Sequence, residues 1–410
     1  MGRLILKHAR VLDSDHPTVV DGVVVIEGDR IAAVQPSAPE TAPGDVVVDL
    51  AGRTVMPGMV TCHFHSTYHE LGSSVAPYGN EYPPAYQALI SARNLATALR
   101  WGYTGVVGAG GANDVEPGVK RAIDDGLITG PRFIPSSREL STTGHSNDGS
   151  PWHWGLPSTG SVRLCDGPEE FRLGVREEIK RGARMIKLFV TGGHGTTAPK
   201  DQTEMTRDEL AAAIETAHAR GAMIRGHLVN KPAILMAIEL GIDIVDHCDE
   251  MDDEVIAALV ERGTFVVPSL HFPNVFLERF GSGLGFAADA ARADLEHMYD
   301  VLPKADAAGV RLLLGDDYGA IGFAHGTYGG ELELYVDKAG MSPLDVIRWG
   351  TLNGAAVMGR GADLGLVRAG MLADLLVVDG DPSRDITALS RHEPVAVLKA
   401  GAVVAGALPA

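Results

Sequence analysis

The chain has 410 residues, with 35 Lys and Arg against 53 Asp and Glu, which gives a formal net charge of −18. This length exceeds one ordinary domain. Hydrophobic residues make up 45% of the chain and charged residues 21%, enough apolar material for a large core, which excludes a disordered protein. A strongly acidic surface repels phosphate backbones and anionic membranes, so we expect neither nucleic-acid binding nor membrane binding.

Cysteine usage and the N-terminus indicate the compartment. Cys62, Cys165 and Cys248 are odd in number and widely spaced, which argues against a disulfide scaffold and favours a reducing environment. The first residues lack the apolar segment of a signal peptide. No window approaches the roughly 20 apolar residues that a membrane helix needs. We therefore expect a cytoplasmic protein.

Both ends of the chain have the texture of short strands separated by turns. The predicted strands cover residues 3–8, 22–27, 30–34, 373–379, 395–399 and 402–405. Two similar ends that enclose a different middle indicate one small β-sandwich domain, formed by residues 1–56 plus 366–410.

The middle of the chain alternates strands with helices. Apolar runs predict eight strands at residues 59–62, 104–108, 132–135, 185–190, 223–226, 242–246, 264–268 and 310–315. Helices are predicted at 84–101, 168–182, 207–220, 232–240, 252–262 and 287–308, and six glycines stand at helix ends as left-handed caps: Gly102, Gly182, Gly221, Gly241, Gly263 and Gly309. Eight such strands predict an α/β fold, a (β/α)₈ TIM-like barrel over residues 57–365, with an open doubly wound sheet as the alternative.

Side chains of the metal-ligand type follow several of these strands. In a barrel, catalytic groups come from the carboxyl ends of the strands. His63 and His65 end the first strand, and because they stand at i and i+2 both rings can face one metal ion. The other groups at strand ends are Lys187, His227, His247, Asp316 and Asp317.

Each of these groups also has a structural interpretation when it is taken alone. Lys187 lies inside an apolar strand, where a charge is costly unless it is paired or metal-bound. A His can cap a helix, and an Asp can start a turn. Their common position at one end of the same predicted barrel favours a metal centre.

These residues resemble the amidohydrolase superfamily over essentially the whole chain. The segment 55–65, VMPGMVTCHFH, is similar to its first-strand signature, and 370–379, GMLADLLVVD, is similar to its return to the β domain. Segments 140–145, 186–193 and 217–227 resemble the imidazolonepropionase-like and prolidase-like branch, which uses two metals bridged by a carboxylated lysine. The resemblance implies a homo-oligomer.

The resemblance also implies a role for each ligand-type residue. His63, His65 and Asp317 would bind the more buried of two divalent ions, taken as zinc. His227 and His247 would bind the more exposed ion. Lys187 would bridge both as N6-carboxylysine. The family pattern Gly-x-Asp selects Asp317 over Asp316.

The expected reaction is hydrolysis of an amide-type bond (an amide, carbamate or cyclic amide) in a small molecule by a metal-bound hydroxide. Asp317 would take the proton and return it to the leaving group. His145 would donate to the developing oxyanion, or else be a turn histidine. His194 is expected to be a loop residue near the site.

Two positions depart from the family pattern, and both bear on the site. Thr61 stands where a supporting Asp is usual, so metal affinity or histidine orientation is expected to differ. After His227 the sequence continues Leu228-Val229-Asn230 instead of with an aromatic residue. This disfavours a dipeptide or an N-acyl amino acid as substrate.

Five loops are expected to cover the mouth of the barrel, at residues 66–82, 141–162, 191–203, 271–286 and 317–330. They are rich in aromatic residues, which would either line an apolar substrate pocket or pack the loops on the barrel.

Three other functions stay open. A deaminase of the same superfamily would normally work with one metal and would not need Lys187. A lyase or decarboxylase could use the same scaffold. A barrel that binds a ligand without turnover would have no need of a proton shuttle such as Asp317.

Overall fold

The computed structural model describes residues 2–14, 20–71, 76, 78–155, 159–194, 196, 198–281, 286–320 and 322–409, with the backbone alone for residues 20, 154 and 286–288. The strands are β1 (Leu4–Val11), β2 (Val20–Glu27), β3 (Arg30–Gln35), β4 (Val46–Asp49), β5 (Thr54–Pro57), β6 (Met59–Phe64), β7 (Tyr103–Gly108), β8 (Arg132–Ile134), β9 (Ser136–Ser141), β10 (Val162–Leu164), β11 (Met185–Phe189), β12 (Met223–Leu228), β13 (Ile244–His247), β14 (Phe265–Val267), β15 (Arg311–Leu312), β16 (Leu375–Val378), β17 (Ala396–Lys399) and β18 (Ala402–Gly406). The helices are α1 (Pro84–Arg100), α2 (Val115–Asp124), α3 (Pro168–Arg181), α4 (Arg207–Ala219), α5 (Lys231–Leu240), α6 (Asp253–Arg262), α7 (His271–Phe280), α8 (Phe286–Ala308), α9 (Gly329–Asp337), α10 (Pro343–Arg348), α11 (Gly354–Val357) and α12 (Thr387–Ser390).

Strands from both ends of the chain share one sheet. Its order is β18-β17-β16-β5-β1-β2-β3, and β4 pairs with β1 in parallel. Alternate side chains of these strands, among them Leu6, Val24, Leu375 and Leu398, form a separate hydrophobic cluster. The predicted terminal strands are present, and the structure adds β4 and β5. The domain boundaries 1–56 plus 366–410, and the sandwich description, stay predictions.

Parallel strands of the middle region run in two connected sheets. One has the order β6-β7-β8, and the other has the order β10-β9-β11-β12-β13-β14-β15. β8 and β9 are separated only by Pro135, whose carbonyl accepts from the backbone N–H groups of Arg184 and Met185. The two sheets therefore continue into each other along one segment of chain.

The first and last strands of this series meet along a seam. The Cys62 N–H donates to the Leu314 carbonyl at 2.6 Å, and the Asp316 N–H donates to the His63 carbonyl at 3.0 Å. Gly315 lies at the seam with φ 145°, and a Cβ added there would lie 2.1 Å from the His63 nitrogen. Eight parallel segments thus form one hydrogen-bonded circuit, with β10 attached outside it. The predicted (β/α)₈ barrel-type α/β fold is confirmed.

Helices follow most of the barrel strands and end where the glycines predict. All six predicted cap glycines have positive φ, from 67° at Gly263 to 111° at Gly182. A left-handed residue at this position satisfies carbonyls at the helix end, and glycine adopts it without steric cost. The loop prediction for residues 271–286 is wrong in part, because α7 occupies most of it. Among the described helices, none has the length and apolar run needed to cross a lipid bilayer.

Candidate metal centre

His63 and His65 stand at the carboxyl end of β6 with both rings on the same side of the strand. Their Nε2 atoms lie 3.2 Å apart. Asp317, which follows β15, places its Oδ1 3.1 Å from each of these two nitrogens. The seam between β6 and β15 brings together residues that are about 250 positions apart in sequence.

The hydrogen bond at the other ring nitrogen orients His65. Its Nδ1 lies 2.9 Å from the Gly110 carbonyl, which can only accept, so Nδ1 carries the proton. In the neutral ring Nε2 then presents its lone pair to Asp317 and His63. The ring also stacks on Tyr68 with a centroid separation of 4.0 Å and an interplanar angle of 3°. Both contacts hold His65 in one orientation.

His63 is supported by residues on neighbouring strands. Its Nδ1 lies 3.2 Å from Ser269 Oγ and 3.5 Å from Asp246 Oδ1. Such contacts fix the tautomer and the ring orientation of a metal-binding histidine. Thr61 does not fill this role, because its buried Oγ1 has no hydrogen-bond partner. The family pattern has an Asp at position 61 that supports the first histidine. Here Asp246 and Ser269 contact His63 instead.

Asp316 and Asp317 point in different directions. Asp316 is fully buried, and its carboxylate accepts from the backbone N–H groups of His271, Phe272 and Asp317 at 2.7, 3.3 and 2.8 Å. Asp317 is 19% exposed and faces the histidines. The structure thus brings Asp317 to the cluster and uses Asp316 to hold the start of α7.

Lys187 lies in β11 next to a carboxylate that the sequence analysis did not single out. Its Nζ donates to Asp246 Oδ2 at 2.6 Å. Arg225 on β12 holds both oxygens of the same carboxylate, and its Nη1 also donates to the carbonyls of Cys62 and Gly108. Lys187, Arg225 and Asp246 are all buried. The sequence could have identified Arg225 and Asp246 by the same feature that identified Lys187, which is a charged residue inside an apolar strand.

His227 and His247 lie at the ends of β12 and β13, with ring centroids 4.4 Å apart. The His227 ring stacks on Phe189, and its Nε2 faces the Gly193 carbonyl at 3.2 Å. The buried Nδ1 of His247 has no hydrogen-bond partner. The ring centroid of His247 lies 5.3 Å from that of His63, so the second pair of histidines adjoins the first.

The backbone around His247 is strained. His194, His247 and Ser269 have φ values of 44°, 73° and 54°, although none is a glycine. His194 stacks on His247 at 3.8 Å, and its Nε2 lies 3.0 Å from the Ser269 carbonyl. Its Nδ1 lies 3.1 Å from Asp249. Strain of this kind persists where surrounding contacts enforce it, and it concentrates at functional sites. The sequence predicts His194 as a loop residue near the site. In the structure its side chain forms part of the wall of the site.

Burial and neighbouring charges set the protonation of these groups. Burial, reinforced by Lys187, holds the pKa of His227 well below its usual value. Burial, reinforced by His194 and His227, does the same to the pKa of His247. Burial would raise the pKa of Asp317, but His63 and His65 outweigh it and hold that pKa well below its usual value. His227 and His247 are therefore neutral and Asp317 is ionised, as metal ligands must be.

The donor set fits a divalent metal ion. Ligand-type atoms of His63, His247 and Asp317 lie within 4.8 Å of one another. Imidazole nitrogens with carboxylate oxygens are ligands of zinc and similar ions. Three lone-pair atoms only 3.1–3.2 Å apart, on His63, His65 and Asp317, repel one another unless a proton or a cation lies between them.

His145 lies at the edge of this site. Its Nδ1 is 2.5 Å from Glu204 Oε1, and its Nε2 is buried without a hydrogen-bond partner. The next two residues, Ser146 and Asn147, line the cavity above the histidines, whereas the described lining does not include His145. Asn147 donates to Glu139, which also accepts from Tyr68 at 2.8 Å. Glu139 is a buried carboxylate beside His65 that the sequence analysis did not identify.

A small cavity of about 190 Å³ opens above the cluster. Its wall includes Lys187, His227, His247 and Asp317 at the base and Phe272 and Phe276 of α7 at the side. Parts of the predicted mouth loops, at residues 72–75, 77, 156–158, 195, 197, 282–285 and 321, lie outside the described residues. The described lining already contains every predicted metal-binding residue except His63, which lies below His65.

Comparison with known proteins gives the family. The model of the Amidohydrolase family matches residues 54–404. Ochratoxinase of Aspergillus niger is 30% identical over 370 residues, covering 84% of this chain and 73% of that protein. The 5-methylthioadenosine/S-adenosylhomocysteine deaminase of Symbiobacterium thermophilum is 28% identical over 441 residues, covering 95% and 89%.

A solved structure supports the same placement over the whole fold. The crystal structure of a Xaa-Pro dipeptidase with bound methionine in the active site superposes with a TM-score of 0.87 at 26% identity, covering 99% of this chain and 100% of that chain. The resemblance inferred from the strand motifs is confirmed. The chain belongs to the amidohydrolase family, in its prolidase-like branch.

Proposed function

We propose that the protein is a metal-dependent hydrolase that cleaves an amide-type bond, in an amide, carbamate or cyclic amide, of a small molecule. The convergence of His63 Nε2, His65 Nε2 and Asp317 Oδ1 within 3.2 Å carries this proposal. Family membership supports an enzyme that acts on carbon–nitrogen bonds. The relatives include an ochratoxinase and a dipeptidase, which supports the same chemistry here.

We assign the ligands as follows. His63, His65 and Asp317 would hold one divalent ion, and His227 and His247 would hold a second. Lys187, as N6-carboxylysine, would bridge the two. The ions, proposed to be zinc, supply Lewis acidity that activates water and polarises a carbonyl group. As an ammonium group Lys187 pairs with Asp246, so carboxylation requires its Nζ to leave that carboxylate, which Arg225 continues to neutralise.

Proton transfer falls to Asp317. Its carboxylate is ionised and partly exposed to the cavity, so it can accept a proton from the attacking water and deliver it to the leaving nitrogen. His145 is the proposed donor to the carbonyl oxygen, because its Nε2 has no partner and Glu204 orients its Nδ1. We further propose a cytoplasmic homo-oligomer.

Elemental analysis of protein purified without chelators tests the site. We expect close to two divalent ions per chain, and a native mass that includes one bound carbon dioxide. Lys187→Ala should lose that mass and at least one ion. Lys304→Ala, which removes an exposed lysine on α8, should change neither. One ion per chain, unchanged in Lys187→Ala, contradicts the bridged site.

Deamination is the second candidate, because a deaminase covers 95% of this chain at 28% identity. A screen of reaction products separates the candidates. A new carboxylate with an amine indicates amide-type hydrolysis, ammonia indicates deamination, and carbon dioxide released from a carboxylic acid indicates the lyase or decarboxylase prediction.

A further inference from the structure

We infer that the substrate carries a bulky, uncharged, apolar substituent that binds in a side cavity beside the metal centre. This inference rests on the proposed function and names the substrate class. The side cavity has a volume of about 480 Å³ and lies between α7, α8 and the segment that carries His194. We call it the α7–α8 cavity.

The α7–α8 cavity adjoins the small cavity above the histidines. The two share His194, Thr196, Phe272 and Phe276 in their walls. Phe272 and Phe276 are one helical turn apart on α7, with ring centroids 5.9 Å apart. A molecule whose scissile bond lies at Asp317 can therefore extend past these two rings into the larger space.

The volumes decide how a substrate is divided between the two spaces. Ligand cavities for small molecules usually measure about 300–1,000 Å³. The inner cavity, at about 190 Å³, is smaller than this range and holds little beyond the scissile group. The α7–α8 cavity, at about 480 Å³, lies within the range. The α7–α8 cavity therefore has room for the larger part of a substrate of ordinary size.

The lining determines the chemistry of that part. Most of the wall of the α7–α8 cavity consists of apolar side chains, including Leu277 of α7 and Leu295 and Met298 of α8. The binding free energy of an apolar ligand on such a surface becomes more favourable in proportion to the apolar area removed from water. An alkyl chain or an aromatic ring system fits this wall.

Charged groups at the rim are already paired with one another. Lys200 donates to Asp294 at 2.6 Å and lies 3.8 Å from Glu250. Asp249 is engaged by His194. In the described lining of the inner cavity the one lysine, Lys187, is held by Asp246. Within the described walls of these two cavities, no lysine or arginine is left to pair with a substrate carboxylate, so the walls favour an uncharged substituent.

Two variants on α8 reduce the cavity, and a third provides a matched control. Ala290 and Ala291 line the cavity, so Ala290→Phe and Ala291→Phe fill the space. Ala290 is exposed, so its substitution has little effect on the core, whereas Ala291 is half-buried against the core. Ala293 is exposed on the same helix and is not part of the described lining, so Ala293→Phe adds the same side chain elsewhere.

Binding of an uncharged probe gives a readout independent of turnover. N-phenyl-1-naphthylamine should bind with a saturable rise in fluorescence. Its Kd should increase at least about tenfold in Ala290→Phe and Ala291→Phe and stay unchanged in Ala293→Phe. Equal binding to all three variants, or no saturable binding, overturns the inference.

Two substrate series test the inference on the reaction. One lengthens the acyl chain of anilides from acetyl to octanoyl, and the other enlarges the amine of acetamides from aniline to naphthylamine. We expect kcat/KM to rise in at least one series, by about fourfold per buried methylene in the acyl series. This rise should disappear in Ala291→Phe but not in Ala293→Phe.

The outcomes separate this inference from the proposed function. Turnover of acetanilide with no dependence on size in either series supports amide hydrolysis and overturns the α7–α8 cavity as a substrate site. Probe binding that is sensitive to Ala291→Phe, without turnover of any amide, supports the cavity and contradicts the proposed reaction.

Discussion

Arg225 and Asp246 form a two-point ion pair between β12 and β13, with both side chains fully buried. Asp246 also receives the Lys187 ammonium group and lies 3.5 Å from His63 Nδ1. One carboxylate therefore connects the proposed bridging lysine to a proposed metal-binding histidine. Arg225 in turn ties this carboxylate to the carbonyls of Cys62 and Gly108 on β6 and β7.

Arg225→Met should destabilise the fold strongly. It removes the guanidinium group that neutralises the buried Asp246 carboxylate and frees the Cys62 and Gly108 carbonyl groups. Loss of one partner of a buried ion pair costs about 3–5 kcal/mol. Urea denaturation should show this loss in the free energy of unfolding. Arg207→Met, which removes the exposed pair with Glu239, should cost less than about 1 kcal/mol. Similar losses for both variants would show that the buried network does not contribute as described.

Asp317→Asn and Asp316→Asn should affect different properties, the first metal content and activity and the second stability. Asp317→Asn should keep the fold, lose metal and reduce kcat/KM by about 10³-fold, because it removes a proposed ligand that is also the proposed proton carrier. Asp316→Asn should keep metal but lower the free energy of unfolding by about 2 kcal/mol, because it weakens three buried hydrogen bonds. Metal analysis and thermal unfolding on both variants distinguish these roles. Loss of metal in Asp316→Asn alone would reverse the assignment.

His145→Ala should lower kcat by about 10²-fold and leave KM nearly unchanged, if its Nε2 donates to the carbonyl oxygen in the transition state. Steady-state kinetics on one amide substrate measures both constants. Glu204→Gln keeps the size of the residue that orients His145 and should give a smaller loss of kcat. An unchanged kcat in His145→Ala would identify His145 as a structural turn residue.

Titration of the Glu116 carboxyl group should lower the free energy of unfolding as pH rises. Burial raises the pKa of its carboxyl group to about 7 from 4.5, against the hydrogen bonds from Ser136 and Ser66. Between these two pH values the folded state binds more protons than the unfolded state, so the free energy of unfolding falls as pH increases. The loss through this group is on the order of 3 kcal/mol, complete above pH 7.

Glu116→Gln removes this titration. Denaturation curves at pH 5, 6, 7 and 8 should show a smaller fall in stability for the variant than for the wild type. Asp124→Asn, an exposed change on the same helix α2, should leave the wild-type slope in place. A Glu116→Gln slope equal to the wild-type slope would contradict the raised pKa.

The sequence predicted the barrel strands well because strand position depends on local pattern. Eight apolar runs correspond to the eight segments of the circuit. His63, His65, His227, His247 and Asp317 lie at or just after strand ends, and Lys187 lies within β11. Parallel strands place their carboxyl ends together, so position along the chain was enough to group these residues.

Features that depend on distant contacts were not predictable in this way. The segment of α7 contains Pro273 and begins after Leu270, which offers no capping side chain. Its first N–H groups are instead satisfied by Asp316, 45 residues later in the chain. The Arg225–Asp246 pair likewise depends on the register between β12 and β13, which neither residue reveals alone.

The seam between β6 and β15 also has a consequence for the order of folding. During synthesis, His63 and His65 emerge early and Asp317 emerges roughly 250 residues later. The Cys62–Leu314 and Asp316–His63 hydrogen bonds can form only after almost the whole barrel has been made. A nascent or truncated chain that ends before residue 311 contains His63 and His65 but lacks the Asp317 carboxylate that completes the cluster. Catalytic competence would therefore arise in one late step, when the ends of the barrel join, and partly made chains would not carry out the proposed reaction.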